Sequence, residues 1–424
     1  MDLTLAQAQD LARRYETPFY VYDIDAMGRR LRTFRDGLDP ATVAIYFAIK
    51  ANPCPGLLAA LAEHVDGADI SSLGELHLAQ DAGIAPSTMS WAGPVKTRDA
   101  LVAALRAGLS AGIISVESEA ELDRLESAAR HVDVPAQITL RLNPETVPRA
   151  FSMKMGGRPS PFGIPVENIA APLRKAQESP WIDLAGFHVY AGTQCLDEDA
   201  IVDNIQDTLD LCAKLADTYD VTPEIINLGG GFGVAHFADE IPLDVAHLAQ
   251  RLGEIFTDLP WRRPRLRSTR LILELGRFIA GPAGRYVCRV IEVRESRGKR
   301  YVLLDGGMHH LFAATGNLGQ LIKRNYQVKN LTAIERRQGG HDPEHEECVY
   351  DLAGPLCTPL DSMARGITLP PCEAGDLLAF ENTGAYGYSA SPLLFLGHDS
   401  PAELIRAGDS IVVGRPRGAV SPVT

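Results

Sequence analysis

The stretch VAIYFAIK, residues 43–50, decides the fold because it is a short apolar run of the kind that forms a buried strand. Seven similar runs follow along the chain: Ala68–Ile70, Met89–Ala92, Gly112–Val116, Ile138–Leu142, Leu184–Val189, Ile225–Leu228 and Leu271–Leu275. Amphipathic stretches typical of helices lie between them, among them Gly56–His64, Gly74–Ala82, Ala100–Ala107, Glu117–His131 and Ala200–Tyr219. The alternation predicts an α/β fold, a (β/α)8 TIM barrel over about residues 28–275. An open doubly wound sheet is the alternative, since strand number alone does not establish closure.

The pattern changes after about Arg277. Short β-like segments separated by Gly, Pro and Asn follow, at Arg285–Val293, Arg300–Leu304, Leu377–Glu381 and Ser410–Val413. The N-terminal segment Pro18–Tyr22 also has the character of a strand, and it can pair with the C-terminal sheet. We therefore predict a second, mostly β domain made of residues 1–27 and 276–424.

Composition excludes several classes of protein. The formal net charge of the 424 residues is −13, and such an acidic surface repels nucleic acid. No apolar run has the length of a membrane span, and the first residues do not have the pattern of a secretory signal. Seven scattered cysteines without a C-x-x-C pair favour reduced thiols in a cytoplasm. The polar segment His341–Glu347 matches no helical ligand spacing, so we interpret it as a solvated loop and expect no metal site.

Lys50 is the first candidate for chemistry. It follows an apolar run directly, and burying an ammonium group is costly. At the carboxyl mouth of a barrel strand it occupies the position where such barrels carry their chemistry. Burial is expected to lower the pKa of the lysine and free the amine for Schiff-base formation. A surface lysine at a strand end is the alternative interpretation.

Two further segments end predicted barrel strands. Gly229, Gly230 and Gly231 follow the seventh strand, and consecutive glycines let backbone N–H groups approach an anion such as phosphate. Glu274 and Arg277 end the eighth strand. A carboxylate there can keep a pyridine nitrogen protonated, and an arginine can hold a phosphate or carboxylate. A tight turn and a structural ion pair are the respective alternatives.

The predicted β domain contributes two more candidates. Cys357 lies in a loop bounded by prolines, where a thiol can donate a proton to a carbanion, although a buried packing cysteine is the commoner case. Tyr386 lies on a glycine-flanked turn and offers a phenol.

Six motifs in this order resemble a known family: FAIKANP at 47–53, NLGGGFG at 227–233, ELGR at 274–277, DGGM at 305–308, GPLCTPLD at 354–361 and GAYG at 384–387. The chain resembles the alanine-racemase-fold (fold-type III) decarboxylases that use pyridoxal 5'-phosphate, the group that contains the diaminopimelate, ornithine and arginine decarboxylases. The resemblance extends from about Thr17 to His398. It implies a barrel with a β domain, and a homodimer whose active sites lie between one subunit's barrel and the other's β domain.

The resemblance also implies roles for individual residues. Lys50 matches the Schiff-base lysine, and Cys357 matches the proton donor that reaches in from the other subunit. The expected cofactor contacts are Lys50, His188, Tyr190, Thr193, Gly229, Gly230, Gly231, Glu274, Gly276, Arg277 and Tyr386. The expected substrate contacts are Arg277, Thr358, Asp361 and Tyr386.

Departures from the family pattern concern the cofactor ring first. Tyr190 stands where the family has the histidine that stacks on the ring, and a tyrosine can stack there but cannot carry a positive charge. His188 lies two residues earlier and faces the same side of the strand, so it can assist without taking the stacking role. Thr193 stands where the family has a serine that binds phosphate.

Other departures concern the far end of the substrate. Thr358 follows the cysteine, where diaminopimelate decarboxylases have a glutamate and ornithine decarboxylases an aspartate. Ala313 and Asn317 replace an arginine and a tyrosine of the diaminopimelate enzymes. A site without these groups is poorly suited to free diaminopimelate, ornithine or lysine.

A narrower resemblance points to larger substrates. HVYAGTQ, INLGGGFGV, DGGMHH, AGPLCTP and GAYG are similar to decarboxylases of amino acids held on an acyl carrier protein. The segment 154–159 and the CTP triplet are similar to siderophore-pathway decarboxylases of citryl conjugates. We therefore predict decarboxylation of a conjugated amino acid in secondary metabolism.

Three alternatives remain open at the level of sequence. The first is a decarboxylase of a free amino acid. The second is a racemase, which needs a second base opposite Lys50, whereas the corresponding loop offers Cys357. The third is a catalytically silent cofactor-binding protein, which has no need of the full set Lys50, Glu274, Cys357 and Tyr386.

Overall fold

A computed structural model describes residues 3–157, 159–318, 323–338 and 347–418. Their strands are β1 (Phe19–Asp23), β2 (Val43–Ala48), β3 (Gly67–Ile70), β4 (Met89–Trp91), β5 (Ile113–Val116), β6 (Ala136–Asn143), β7 (Met153–Lys154), β8 (Ile164–Pro165), β9 (Ile182–Val189), β10 (Gly192–Thr193), β11 (Ile225–Gly230), β12 (Arg270–Leu275), β13 (Gly284–Ser296), β14 (Lys299–Leu304), β15 (Val328–Asn330), β16 (Cys348–Ala353), β17 (Ser362–Leu369), β18 (Leu377–Phe380), β19 (Ala402–Ala407) and β20 (Ser410–Arg415).

The α-helices of the same residues lie mostly in the first two thirds of the chain. They are α1 (Leu5–Tyr15), α2 (Ile24–Arg35), α3 (Pro55–Leu61), α4 (Leu73–Asp81), α5 (Arg98–Arg106), α6 (Glu119–Val132), α7 (Ala170–Glu178), α8 (Glu198–Thr218), α9 (Val245–Arg262), α10 (Arg277–Ala280) and α11 (Leu331–Gln338).

Eight parallel strands close into a barrel. The order is β2-β3-β4-β5-β6-β9-β11-β12, and β12 pairs in parallel with β2 to complete the ring. Strands β2, β3, β4 and β5 are buried at every position, as expected where helices cover the outside and side chains fill the inside. The predicted barrel is therefore confirmed, and the open doubly wound sheet is excluded.

Polar caps set where the barrel helices begin, and therefore where the strand-to-helix loops end. Ser72 Oγ accepts from the backbone of α4, Ser118 Oγ from α6, and the carboxylates of Asp197 and Asp244 from α8 and α9. Each cap satisfies an N–H that has no partner inside the helix, which is worth about 1 kcal/mol. The loops at the carboxyl face of the barrel are thus fixed at their helical ends.

The second domain is mostly sheet. Its strands run in the order β17-β16-β14-β13-β1-β19-β20, and β18 pairs with β13 and β15. Strand β1 pairs with β13 antiparallel and with β19 in parallel, so the expected pairing of Pro18–Tyr22 with the C-terminal sheet is confirmed. The predicted boundary between residues 27 and 28 falls inside α2. The exact domain limits stay a prediction.

Two expectations from the sequence, one about the cysteines and one about membrane spans, can be compared with the structure. All seven cysteines are free thiols, as the spacing favoured. In the described ranges, none of the helices combines the length and apolarity needed to cross a bilayer.

Candidate active site

Lys50 lies at the carboxyl end of β2, the position that the sequence predicted. The turn Ile49–Ala51 ends the strand, and the Nζ atom of Lys50 lies 2.5 Å from Oδ2 of Asp69 on β3. Asp69 is fully buried, whereas the Lys50 side chain retains 37% exposure because it lines a cavity at this end of the barrel. The amine is therefore open to a small molecule at the face of the barrel where such folds place their chemistry.

The electrostatics of Lys50 differ from the sequence expectation. Burial lowers its pKa, as expected, but the carboxylates of Asp69 and Glu274 more than offset this effect and raise the pKa above the usual lysine value. The expected net lowering is therefore wrong for the cofactor-free chain. The main cause of the raised pKa is Asp69, which the pairing of β2 with β3 places beside the amine across 19 residues of sequence.

Eight of the predicted site residues line the Lys50 cavity: Lys50, Tyr190, Thr193, Gly231, Glu274, Gly276, Arg277 and Tyr386. They come from three loops of the barrel, the end of β2 and the β domain. The structure thus brings most of the predicted cofactor contacts to one place. Their individual roles toward a cofactor stay predictions.

Glu274 is held by a buried polar cluster at the end of β12. Its Oε1 accepts from Nδ2 of Asn227 at 2.6 Å and from Oγ of Ser90 at 3.3 Å. Its Oε2 lies 3.6 Å from Nε2 of His188. Because Oε1 is anchored by two donors, the orientation of the carboxylate at the cavity wall is fixed.

His188 and Tyr190 are two residues apart in sequence but differ in their position relative to the cavity. His188 is fully buried, and its Nδ1 lies 2.7 Å from Oγ of Ser115. Burial, followed by the charge of Arg141, lowers the pKa of His188 well below its usual value, so the ring is neutral. It is not among the cavity-lining residues, whereas Tyr190 is. Tyr190 is therefore the one of the two rings that reaches the cavity, and its stacking on a cofactor stays a prediction.

Backbone crowding explains the triple glycine. Gly229 and Gly231 have φ angles of 64° and 88°. A Cβ atom on Gly230 would lie 1.9 Å from the carbonyl oxygen of Glu274, and one on Gly231 would lie 2.0 Å from that of Gly192. Only glycine lets the loop come this close to its neighbours. The N–H of Gly229 donates to Oδ1 of Asn227 at 2.9 Å, and Gly231 is the one of the three glycines that lines the cavity.

Arg277 is positioned by a residue that the sequence reasoning missed. Its Nη1 lies 3.2 Å from Nε2 of the buried His236, and its guanidinium lies 4.6 Å from the ring centre of Tyr386. Burial and the charge of Arg277 lower the pKa of His236 to about 3, so the neutral ring accepts from the arginine. The Nε of Arg277 is buried without a hydrogen-bond partner. His236 lies five residues after the glycine loop, and this spacing alone does not distinguish it.

The Cys357 loop is separate from the Lys50 cavity in the same chain. It connects β16 to β17, and the backbone N–H of Gly354 donates to the carbonyl of Asp361 to close it. Cys357 is exposed, and Thr358 Oγ1 accepts from the backbone N–H of Leu360. Neither Cys357 nor Thr358 lines the cavity. Their predicted role across a subunit boundary stays untested.

The carboxylate of Asp361 binds the backbone of the Cys357 loop and of the neighbouring residue Met308. Its Oδ1 accepts from the backbone N–H of Met308 at 2.6 Å, and its Oδ2 from that of Leu356 at 2.9 Å. The residue is only 3% exposed. Both carboxylate oxygens thus bind backbone N–H groups, and the contact of Asp361 with a substrate stays a prediction.

The described residues contain no group of three His, Cys, Asp or Glu side chains arranged to hold a metal ion. The polar segment interpreted above as a solvated loop lies outside the described residues except for Glu347.

The residues present fit pyridoxal phosphate. An accessible amine can hold its aldehyde, an anchored carboxylate can face its ring nitrogen, and a glycine cradle with Thr193 and Tyr386 can receive its phosphate. The buried, unpartnered Nε atom of Arg277 is a donor that a bound anion would satisfy. The site thus accommodates each polar end of the cofactor.

Replacing Gly231 with Ala tests the cradle. The added Cβ meets the carbonyl of Gly192, so we expect the variant to lose about 1–3 kcal/mol of stability, the range for overpacking, and to bind the cofactor more weakly. Gly83→Ala is the matched control, because Gly83 has a φ of 86° but nothing within 4 Å of the added atom. Urea unfolding and cofactor titration compare the two. Equal stability and equal affinity in both variants would refute a packing role for Gly231.

Comparisons with known proteins agree with this geometry. Residues 24–281 match the family model "Pyridoxal-dependent decarboxylase, pyridoxal binding domain". The L-glutamyl-[BtrI acyl-carrier protein] decarboxylase of Niallia circulans is 34% identical over 423 residues, covering 100% of this chain and 96% of that protein. The diaminopimelate decarboxylase of Vibrio cholerae is 32% identical, over 90% of this chain and 86% of that protein.

A solved structure shares the fold. The diaminopimelate decarboxylase of Helicobacter pylori in complex with L-lysine superimposes with a TM-score of 0.84 at 26% identity, over 97% of both chains. The family match covers most of the barrel and every predicted contact on it, and the similarity to full-length relatives includes the β domain. The chain belongs to the pyridoxal-dependent decarboxylases, and its cofactor is pyridoxal phosphate.

Proposed function

We propose that this chain is a carboxy-lyase that decarboxylates an amino acid joined to a carrier protein or to another conjugate. The observation that carries the proposal is that three positions expected to bind the far end of a free substrate carry no charge. Ala313 is a buried methyl group, the amide of Asn317 donates to the hydroxyl of Thr315, and Thr358 binds the backbone of its own loop. None of them offers a charge to a distal ammonium or carboxylate.

Similarity to known enzymes supports the same substrate class. By its name, the Niallia circulans protein acts on a glutamyl group held on an acyl carrier protein. This chain is 34% identical to that protein and 32% identical to the diaminopimelate decarboxylase of Vibrio cholerae. A substrate tethered at its far end does not need a charged pocket there, because the tether itself is recognised outside.

The proposed chemistry assigns one task to each group. Bound pyridoxal phosphate supplies an electron sink for the electrons left when CO2 departs. Lys50 holds the cofactor, Glu274 keeps a proton on its ring nitrogen, and Arg277 binds the anionic group of cofactor or substrate that satisfies its free Nε. The thiol of Cys357 donates a proton to the substrate carbon that has lost CO2.

We propose a homodimer as the working unit. Cys357 is exposed and lies outside the Lys50 cavity, so it can serve that cavity only in another subunit. Leu360 in the same loop is 58% exposed and Leu394 in the β domain 76%, which is unusual for leucines and fits a surface that a second copy covers. Seven free thiols favour a cytoplasmic location.

A substrate panel tests the proposal. The holoenzyme is incubated with glutamyl carrier protein, with citryl–amino-acid conjugates, and with free diaminopimelate, ornithine, lysine and glutamate. We expect mass spectrometry to show the loss of one CO2 from a conjugate, with kcat/KM at least about 100-fold higher than for any free acid. Stronger turnover of a free acid would replace the proposal by the free-acid alternative, and isotope exchange without CO2 release would indicate a racemase.

A further inference from the structure

Two cations share one hydroxyl oxygen at the base of the Cys357 loop. Nζ of Lys323 and Nε of Arg365 each lie 3.1 Å from Oγ of Ser362. Nζ of Lys323 also donates to the carbonyl oxygen of Ser362. Two positive charges are therefore held close together on a neutral residue, where they repel each other.

Within the described part of the chain, no carboxylate pairs with either cation. Asp351 acts on Lys323 only at longer range, and its own oxygens accept from the backbone of Gly366 and lie 3.5 Å from Lys299. Burial, followed by the charge of Arg365, lowers the pKa of Lys323 to about 8, which reflects the missing counter-charge. An arriving anion would remove this repulsion.

The backbone of Arg365 is held in place by hydrogen bonds that do not require a bound anion. Asn325 fixes the backbone of Arg365 twice, since its Oδ1 accepts from the Arg365 N–H at 2.9 Å and its Nδ2 donates to the Arg365 carbonyl at 2.7 Å. Arg365 is exposed, and its two Nη groups make no hydrogen bond within the described chain. They remain free to bind an oxyanion in a bidentate way.

Its location connects this pair to the reaction. Ser362 follows Asp361 directly, and it pairs with Ala353 where β16 and β17 close the loop that carries Cys357. An anion on Lys323 and Arg365 would thus lie at the base of the loop that carries the thiol proposed to enter the active site. The chain has a net charge of −13, whereas the charge at this place is positive because the two cations have no carboxylate partner among the described residues.

We propose that Lys323 and Arg365 form an oxyanion site for the non-reacting part of the conjugated substrate. The inference rests on the proposed function, because a tethered substrate carries such an anion away from its amino acid. The phosphodiester of a carrier protein's phosphopantetheine arm and the carboxylates of a citryl conjugate share this chemistry. The tether is then recognised by charge outside the reaction pocket.

Kinetics with matched substrates test the site. Lys323→Gln/Arg365→Gln is compared with Arg294→Gln/Arg297→Gln, which removes two exposed cations from the β13–β14 hairpin. Each enzyme is assayed with glutamyl carrier protein, with the glutamyl thioester of N-acetylcysteamine, which lacks phosphate, and with a citryl conjugate and its ester. We expect the first variant alone to lose about 10- to 100-fold in kcat/KM on an anionic tether, through KM, and to keep its rate on the neutral analogue.

The pattern of loss identifies the source of the anion. Loss on the carrier substrate assigns the site to phosphate, and loss on the citryl conjugate alone assigns it to carboxylate. Equal losses on anionic and neutral substrates, or no loss on either, would overturn the site.

Direct binding separates this inference from the proposed function. Calorimetry of the holoenzyme with phosphopantetheine and with citrate needs no turnover. Binding that the Lys323→Gln/Arg365→Gln variant abolishes supports the site even if every conjugate proves inert and the proposed function fails. Absence of binding to wild-type holoenzyme, or unchanged binding to the variant, contradicts the site whatever the substrate.

Discussion

Lys50→Ala will abolish decarboxylation and remove the visible absorption band of the bound cofactor. The variant loses the amine that lines the cavity and leaves fully buried Asp69 without its cationic partner. We expect kcat to fall by at least about 10³-fold, the scale that follows removal of a covalent catalytic group. Absorption spectra after dialysis and CO2 release measure the two effects separately.

A surface lysine provides the control for this variant. Lys175→Ala removes an ammonium that pairs with Asp123 on the outside of the barrel, and it should change neither the spectrum nor the rate. A Lys50→Ala enzyme that kept the band and turned over normally would show that the cofactor assignment is wrong.

Mixing variants extends the experiment to the proposed dimer. Lys50→Ala and Cys357→Ala subunits are each expected to be inactive, but a mixed dimer places an intact Lys50 and an intact Cys357 in one of its two sites. Partial recovery of activity after subunit exchange is the expected result. No recovery in verified mixed dimers would contradict a site shared in this way.

The sequence was sufficient to predict the barrel because each strand is specified locally. Residues 43–49 are apolar throughout, and residues 271–275 are apolar except for Glu274, which suits a parallel strand covered on both faces. The position of Lys50 followed from the same pattern, since a polar residue directly after such a run must lie at the strand's carboxyl end. Closure of the ring did not follow, because it depends on pairing between β12 and β2, which are distant in sequence.

The differences from the sequence expectations concern contacts between residues that are distant in sequence. The direction of the Lys50 pKa shift depends on Asp69, and the register of β2 against β3, which the sequence does not show, brings these residues together. His236 was missed because a histidine in a loop after a glycine turn has no distinguishing pattern until its contact with Arg277 is known. Asp361 was predicted to contact substrate, and the structure adds two hydrogen bonds to the backbone that the motif alone did not indicate.

Glu274→Gln is the second substitution expected to have a large effect. The amide retains an oxygen that can accept from Asn227 and Ser90, so the polar cluster and the fold should persist. It cannot supply the negative charge that keeps a ring nitrogen protonated, and the electron sink is then weaker. We expect kcat to fall by about 10²- to 10³-fold, the usual cost of losing one preorganised electrostatic contact, with little change in the thermal midpoint.

Glu274→Asp separates charge from position. Aspartate restores the negative charge but holds it farther from the cavity, so we expect partial recovery of kcat. If the role of Glu274 were purely structural, glutamine would be the better replacement because it has the same length. Cofactor content is measured for both variants to show that the loss lies in turnover and not in binding. If Glu274→Gln were faster than Glu274→Asp, the charge at the end of β12 would have no part in the chemistry, and the cluster of Asn227, Ser90 and Glu274 would be reduced to a packing element of the barrel.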